Sequence, residues 1–160
     1  MAVKRVPDGY HRVTPHLTVR NAAALIEFYK KAFGAVEKGR APGPDGKIMH
    51  AAIQIGDSIV FLNDEFPDMG AVSPLGSKTT PVTIHLFVED ADKQFQQALA
   101  AGAEVVMPLA DQFWGDRGGA VADPAGYTWW IVTRTEDLTQ PEIQQRAADF
   151  FKQMAQGASR

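Results

Sequence analysis

The chain contains no cysteine. That absence excludes disulfide staples, thiolate nucleophiles and zinc–thiolate sites together. No run of about 18 apolar residues is present, so no segment reads as a transmembrane helix and a membrane is not an expected partner. Basic residues are few and scattered, 16 Lys and Arg against 19 Asp and Glu. No basic block tracks a phosphate backbone, so nucleic acid is not an expected partner either. The first residues lack the apolar core of an export signal, and the expected location is the cytoplasm. No serine sits in an elbow-like surrounding that would suggest a Ser-His-Asp triad. Gly118-Gly119 is flanked by a strand pattern rather than a helix, which excludes a phosphate loop.

What is present is a repeat. His16-Leu17-Thr18-Val19-Arg20-Asn21-Ala22 is answered by His85-Leu86-Phe87-Val88-Glu89-Asp90-Ala91. His, Leu, Val and Ala recur at an offset of 69, and Asn is matched by Asp. After a slip of one residue, Gly34-Ala35 meets Gly102-Ala103. With 45% apolar residues, 160 residues make one ordinary domain or two half-domains sharing a core.

Each copy reads as a strand feeding a helix. From Arg12 to Val19 the residues alternate: Val13, Pro15, Leu17 and Val19 on one face, Arg12, Thr14, His16 and Thr18 on the other. Asn21 suits a helix N-cap, and Leu25, Phe28, Tyr29, Ala32 and Phe33 follow at helical spacing until Gly34. Strands are expected near 35–41, 47–55 and 58–63. Val82, Ile84, Leu86 and Val88 form one face of the second leading strand, with Thr83, His85 and Phe87 on the other. Asp90 caps the next helix, and Ala91, Phe95, Ala98 and Leu99 make its apolar stripe. Strands are expected near 104–107, 118–122 and 127–133. Thr139 and Glu142 have capping-box spacing, with Ile143, Ala147, Phe150 and Met154 striped behind them. The resulting organisation is a lead-in (1–11), a first βαβββ unit (12–64), a linker loop (65–80), a second βαβββ unit (81–135) and a C-terminal helix (136–160).

If each helix covers the apolar face of its sheet, the faces bearing Thr14 and His16, and Thr83 and His85, look into a common hollow. A curved sheet carrying a few polar groups among apolar ones is a small-molecule site.

Several segments resemble a known family. The duplicated plan, Phe28-Tyr29, Phe33-Gly34 and Asp123-Pro124-Ala125-Gly126-Tyr127 resemble the vicinal oxygen chelate superfamily of glyoxalases, extradiol dioxygenases and bleomycin-resistance proteins. Thr14-Pro15-His16-Leu17, Pro42-Gly43-Pro44-Asp45-Gly46-Lys47 and Phe113-Trp114-Gly115-Asp116-Arg117 resemble its PhnB-like branch. The resemblance spans residues 10–135. It implies an α+β fold in which two tandem βαβββ units form a curved mixed sheet around a cavity.

The resemblance also places the superfamily's metal ligands. They fall at Thr14 and Thr83 in the leading strands, and at Phe61 (or Val60) and Trp130 in the last strands. None of these is a good ligand for a divalent metal. His16 and His85 lie two residues further on, so a displaced site completed by His50 or Asp64 stands as an alternative. His50 reads foremost as a partly buried structural histidine, with a general base as the alternative. In the Trp114-Gly115-Asp116-Arg117 run, Trp114 offers a flat wall; Asp116 and Arg117 either pair with each other or face an anionic group on a ligand. Trp129 and Trp130 alternate, with Trp130 expected inward.

The expected function is therefore binding of a small organic molecule, without the usual metal and without a cofactor. The candidate ligand-binding residues are Thr14, His16, His50, Phe61, Thr83 and His85, with Trp114, Asp116, Arg117 and Trp130 from the second unit. The alternative is a metal-dependent lyase, isomerase or dioxygenase using displaced histidines, or a metal-free enzyme with His50 as base. A pure interaction module is the third reading. A homodimer is expected, since the resemblance implies subunit pairing and the C-terminal stripe offers an interface.

Overall fold

The computed structural model describes residues 4–75 and 80–157. Within them each repeat is a strand, a helix and three further strands. The first comprises β1 (His16–Val19), α1 (Ala22–Phe33), β2 (Val36–Pro42), β3 (Ile48–Ile55) and β4 (Ser58–Asp64). The second comprises β5 (Thr83–Phe87), α2 (Ala91–Ala101), β6 (Glu104–Asp111), β7 (Asp116–Ala122) and β8 (Thr128–Arg134), followed by α3 (Gln140–Gly157). The sheets run β1-β4-β3-β2 and β5-β8-β7-β6. In both, the leading strand pairs parallel with the last and the remaining pairs are antiparallel. The parallel pair needs a crossover, and the helix supplies it.

The helix ends follow from local chemistry. Asn21 Oδ1 accepts from Ala24 N–H at 3.0 Å, and Asp90 Oδ1 accepts from Lys93 N–H at 2.9 Å. Gly34 and Gly102 close the helices at φ 65° and 114°, a region that penalises any side chain. Strand boundaries depart from expectation by more than one residue at three places. β1 begins at His16 rather than Arg12; Pro15 has no N–H for the ladder, although its carbonyl accepts from Phe61 N–H at 2.9 Å. β6 runs on to Asp111 and β7 starts at Asp116, because the hairpin keeps pairing through Asp111 opposite Arg117 after two register shifts. Of the expected linker, Pro67–Met69 forms a short 3-10 turn and Phe66 bridges Ala71; residues 76–79 lie outside the described residues.

The two units share one core on their helix sides. It includes Leu17, Val19, Leu62, Trp129 and Ile131 from the strands and Leu25, Tyr29, Phe33 and Phe95 from the helices. Trp129 packs on Tyr29 and Phe33, with ring centroids 5.3 and 4.6 Å apart. Gln97 Nε2 donates to the Lys31 carbonyl at 2.7 Å, and Gln94 Nε2 donates to that of Ala32, so α2 satisfies carbonyls that α1 leaves free at its end.

This arrangement corrects the expected common hollow. The duplicated βαβββ plan is as expected, but the strands form two separate four-stranded sheets. Helix-side packing joins the units, so their opposite faces are not closed on each other within one chain.

The capping box forms: Thr139 N–H donates to Glu142 Oε2 at 2.8 Å. No residue of α3 is buried. Phe150 and Phe151 touch the body at Phe113, with centroids 5.3 and 6.3 Å away. Among the described residues no helix is long and apolar enough to cross a membrane.

Candidate functional site

The period-two rule sorts the candidates cleanly. β1 and β4 align His16 with Phe61; β5 and β8 align His85 with Trp130. Both pairs lie on the sheet face opposite the helices, and each imidazole faces an aromatic ring at the same register point of its repeat.

On the first face, His16, His50 and Phe61 form a cluster. His16 meets His50 and Phe61 edge-on at 5.7 Å each, and His50 stands 4.6 Å from Phe61. Partial burial, then the neighbouring His50, lowers the His16 pKa below its ordinary value; a hydrogen bond with Asn63 pulls the other way. Tyr10, at 6.0 Å from Phe61, extends the cluster. Tyr10 comes from the expected lead-in, and Asn63, which is not among the candidates, joins the cluster because it shares the strand parity of Phe61.

On the second face, the rings of His85 and Trp130 are nearly parallel, 8° apart with centroids at 6.4 Å. Trp114 approaches Trp130 at 6.1 Å and 64°. Phe87, two residues after His85, joins at 4.9 Å, and Phe113 meets Trp114 at 4.9 Å. Beneath the rings, Val132 and Ala120 are fully buried, so the face is a packed floor. Among the described residues no ring contact joins this cluster to the first.

Thr14 and Thr83 sit apart from the rings. Thr83 is exposed on β5. Thr14 lines a cleft of about 390 Å³ between the approach to β1, the β3–β4 turn and β5, where His85 is the other candidate present.

The Asp116-Arg117 reading needs correction. The two side chains take opposite faces of β7 and do not pair. Arg117 reaches the helix side, donating to both oxygens of Asp92 on α2 (2.6 and 2.7 Å) and to Asp111 at 3.1 Å. It is thereby drawn away from the ring-lined face. Asp116 is buried and accepts from Trp114 Nε1 at 2.8 Å. Asp64 is likewise committed: its carboxylate accepts from Ala22 N–H at 2.8 Å and Ile48 N–H at 2.7 Å, fixing α1 to its sheet.

A profile of the family described as "Glyoxalase/Bleomycin resistance protein/Dioxygenase superfamily" matches residues 9–131. The chain belongs to this glyoxalase/bleomycin resistance/dioxygenase superfamily. It is 52% identical over 135 residues to "Uncharacterized protein Mb0911c" of Mycobacterium bovis, covering 82% of this chain and 89% of that one. Among solved structures, TioX from Micromonospora sp. ML1 superposes with a TM-score of 0.60 at 25% identity, over 81% of this chain and 100% of that one. The Arabidopsis thaliana At5g48480 product gives 0.63 at 27%, over 76% and 98%. The PhnB protein of Bacillus cereus, at 18% identity and 0.61, covering 77% and 99%, shares the fold.

Superfamily chemistry built on a divalent metal meets the wrong donors here. The positions at which the resemblance implies ligands, Thr14, Thr83, Phe61 (or Val60) and Trp130, carry side chains that do not suit such an ion. His85 stands on a different sheet from His16 and His50, and Asp64 is held by backbone donors. Among the described residues no three His, Asp or Glu side chains are grouped to hold a metal.

Proposed function

We propose that this superfamily member binds a small, flat organic molecule against its ring-lined sheet faces, without the usual metal. The observation that carries the reading is the His85–Trp130–Trp114 array on a face that neither α1 nor α2 covers. Aromatic planes over a packed apolar floor favour stacking of a planar ligand.

The same reading makes the protein a homodimer. Each chain leaves two faces open, and a second copy can bring a first-unit face, with His16, His50 and Phe61, over a second-unit face. Exposed Val105, Val106, Met107 and Phe151 supply apolar surface for such an association.

The test uses 1-naphthalenemethanol as a neutral planar probe, with tryptophan fluorescence and calorimetry as readouts. Trp130→Ala is expected to weaken binding about tenfold while leaving the far-UV spectrum unchanged. Unchanged affinity rejects the second face as the site. Sedimentation velocity showing a monomer at all concentrations rejects the paired arrangement.

A second reading, a lyase, isomerase or dioxygenase, rests on one observation. His16 and His50 form a close imidazole pair, and the lowered pKa of His16 keeps it neutral and able to accept a proton at neutral pH. Stoichiometric metal in protein purified without a polyhistidine tag, lost in the His16→Ala/His50→Ala variant, would favour the metal-dependent form.

A further inference from the structure

We propose that Asp116 makes the second face selective for a cation: an amine or guanidinium carried on a flat apolar body. The inference rests on the binding reading above and adds the charge of the ligand.

Asp116 is 8% exposed. Opposite it across β7 and β8 stands Arg134, and Ala120 stands opposite Trp130. Strand parity therefore puts the carboxylate on the same face as Trp130. One of its oxygens accepts from Trp114 Nε1 at 2.8 Å. Among the described residues nothing donates to the other oxygen, and no Lys, Arg or His forms an ion pair with it. The two arginines near it in sequence and register are engaged elsewhere. Arg117 is bound to Asp92 and Asp111 on the helix side. Arg134 turns to Asp137 at 2.6 Å and to the Glu136 carbonyl.

The residue is largely buried, but its second oxygen stays open at the face, and no cation of the chain pairs with it; a ligand that brings a positive charge would supply that partner. The groups beside it suit such a partner. Trp114, which contacts Asp116 and meets Trp130 at 6.1 Å, links the acid to the ring array, and indole faces attract cations through their quadrupoles. One hydrogen bond to Trp114 orients the carboxylate and leaves its second oxygen free to accept from an ammonium or guanidinium N–H. The sequence left two readings, an Asp116–Arg117 pair or an anionic ligand group facing them. Tertiary structure removes that cation from the face and leaves the acid.

The experiment compares two probes of one shape, 1-naphthylmethylamine and 1-naphthalenemethanol, on the full chain. The amine is expected to bind about tenfold more tightly, the equivalent of one charge-assisted hydrogen bond. Asp116→Asn, which retains an acceptor for Trp114, should abolish that preference. Asp116→Glu should retain a preference. Raising salt from about 0.05 to about 0.5 M should weaken the amine alone. A preference that survives Asp116→Asn overturns the inference, while the binding reading stands if Trp130→Ala still weakens the alcohol. If Trp130→Ala leaves the alcohol unaffected, the binding reading fails and takes this inference with it. Should Asp116→Asn not fold, the salt series on the unaltered protein decides: an amine preference indifferent to salt overturns the proposal.

Discussion

The phenol of Tyr29 donates to Asp123 Oδ2 at 2.6 Å, across the boundary between the two repeats. Tyr29 lies on α1 and Asp123 opens the turn before β8. The same carboxylate accepts from Trp129 Nε1 at 2.9 Å and from the backbone N–H groups of Ala125 and Tyr127. Burial raises the pKa values of both Tyr29 and Asp123, so the pair belongs to the core. Tyr29→Phe keeps the ring packing on Trp129 and removes one donor. The expected loss is about 1–3 kcal/mol, read as a lower urea midpoint at unchanged slope. A loss below about 0.5 kcal/mol would show that this bond does not hold the units together.

Gly118 and Gly119 are where the second sheet has no room. A Cβ on Gly119 would stand 2.8 Å from the Met107 carbonyl oxygen and 2.9 Å from the Phe95 ring. On Gly118 it would overlap Val132 Cγ1 and lie 2.6 Å from the Ile131 carbonyl oxygen. Both backbone contacts are rigid, so alanine at either position is expected to cost about 1–3 kcal/mol in thermal or urea unfolding. Gly43→Ala, whose nearest contacts are at 3.4 Å, should fall within about 0.5 kcal/mol of the parent. Equal effects at all three positions would contradict the packing argument.

The paired imidazoles give a pH dependence of defined sign. His16 titrates below its ordinary 6.5 in the folded chain, because of partial burial first and His50 second. Between the lowered value and 6.5 the unfolded chain binds more protons, so stability rises with pH across that window. The His16 contribution is present above 6.5 and is lost as pH falls through the folded value. Proton NMR should place the His16 midpoint below 6.5, and His50→Gln should move it upward. His16→Gln should flatten the fall in unfolding midpoint between about pH 7 and about pH 5. A midpoint at or above 6.5 would show that the two rings do not face each other in solution.

Much of the fold was legible because it rests on local rules. Strand alternation separated Leu17 from His16 and Leu86 from His85. Caps at Asn21 and Asp90, and glycines at 34 and 102, bounded the helices through short-range hydrogen bonding and backbone sterics. The same alternation separated Trp129 from Trp130, and the resemblance implied which of them leaves the core; the structure buries Trp129 and sets Trp130 beside His85. The candidate site was legible as two lists of face residues, but their grouping was not. Nothing between His16 and His50 in the chain reports that β1 and β3 bring both imidazoles to Phe61 on β4.

The amino-acid order by itself determined the duplicated βαβββ plan and the face on which His16 and His85 stand, since period and capping act over a few residues. Tertiary structure alone decided how the two units meet, through Tyr29, Asp123 and the α1–α2 contact, and hence that their ring-lined faces do not close on each other. It also decided the charge of the second face, by drawing Arg117 to Asp92 and leaving Asp116 beneath Trp114. Those outcomes depend on contacts between residues distant in the chain, which no local pattern encodes.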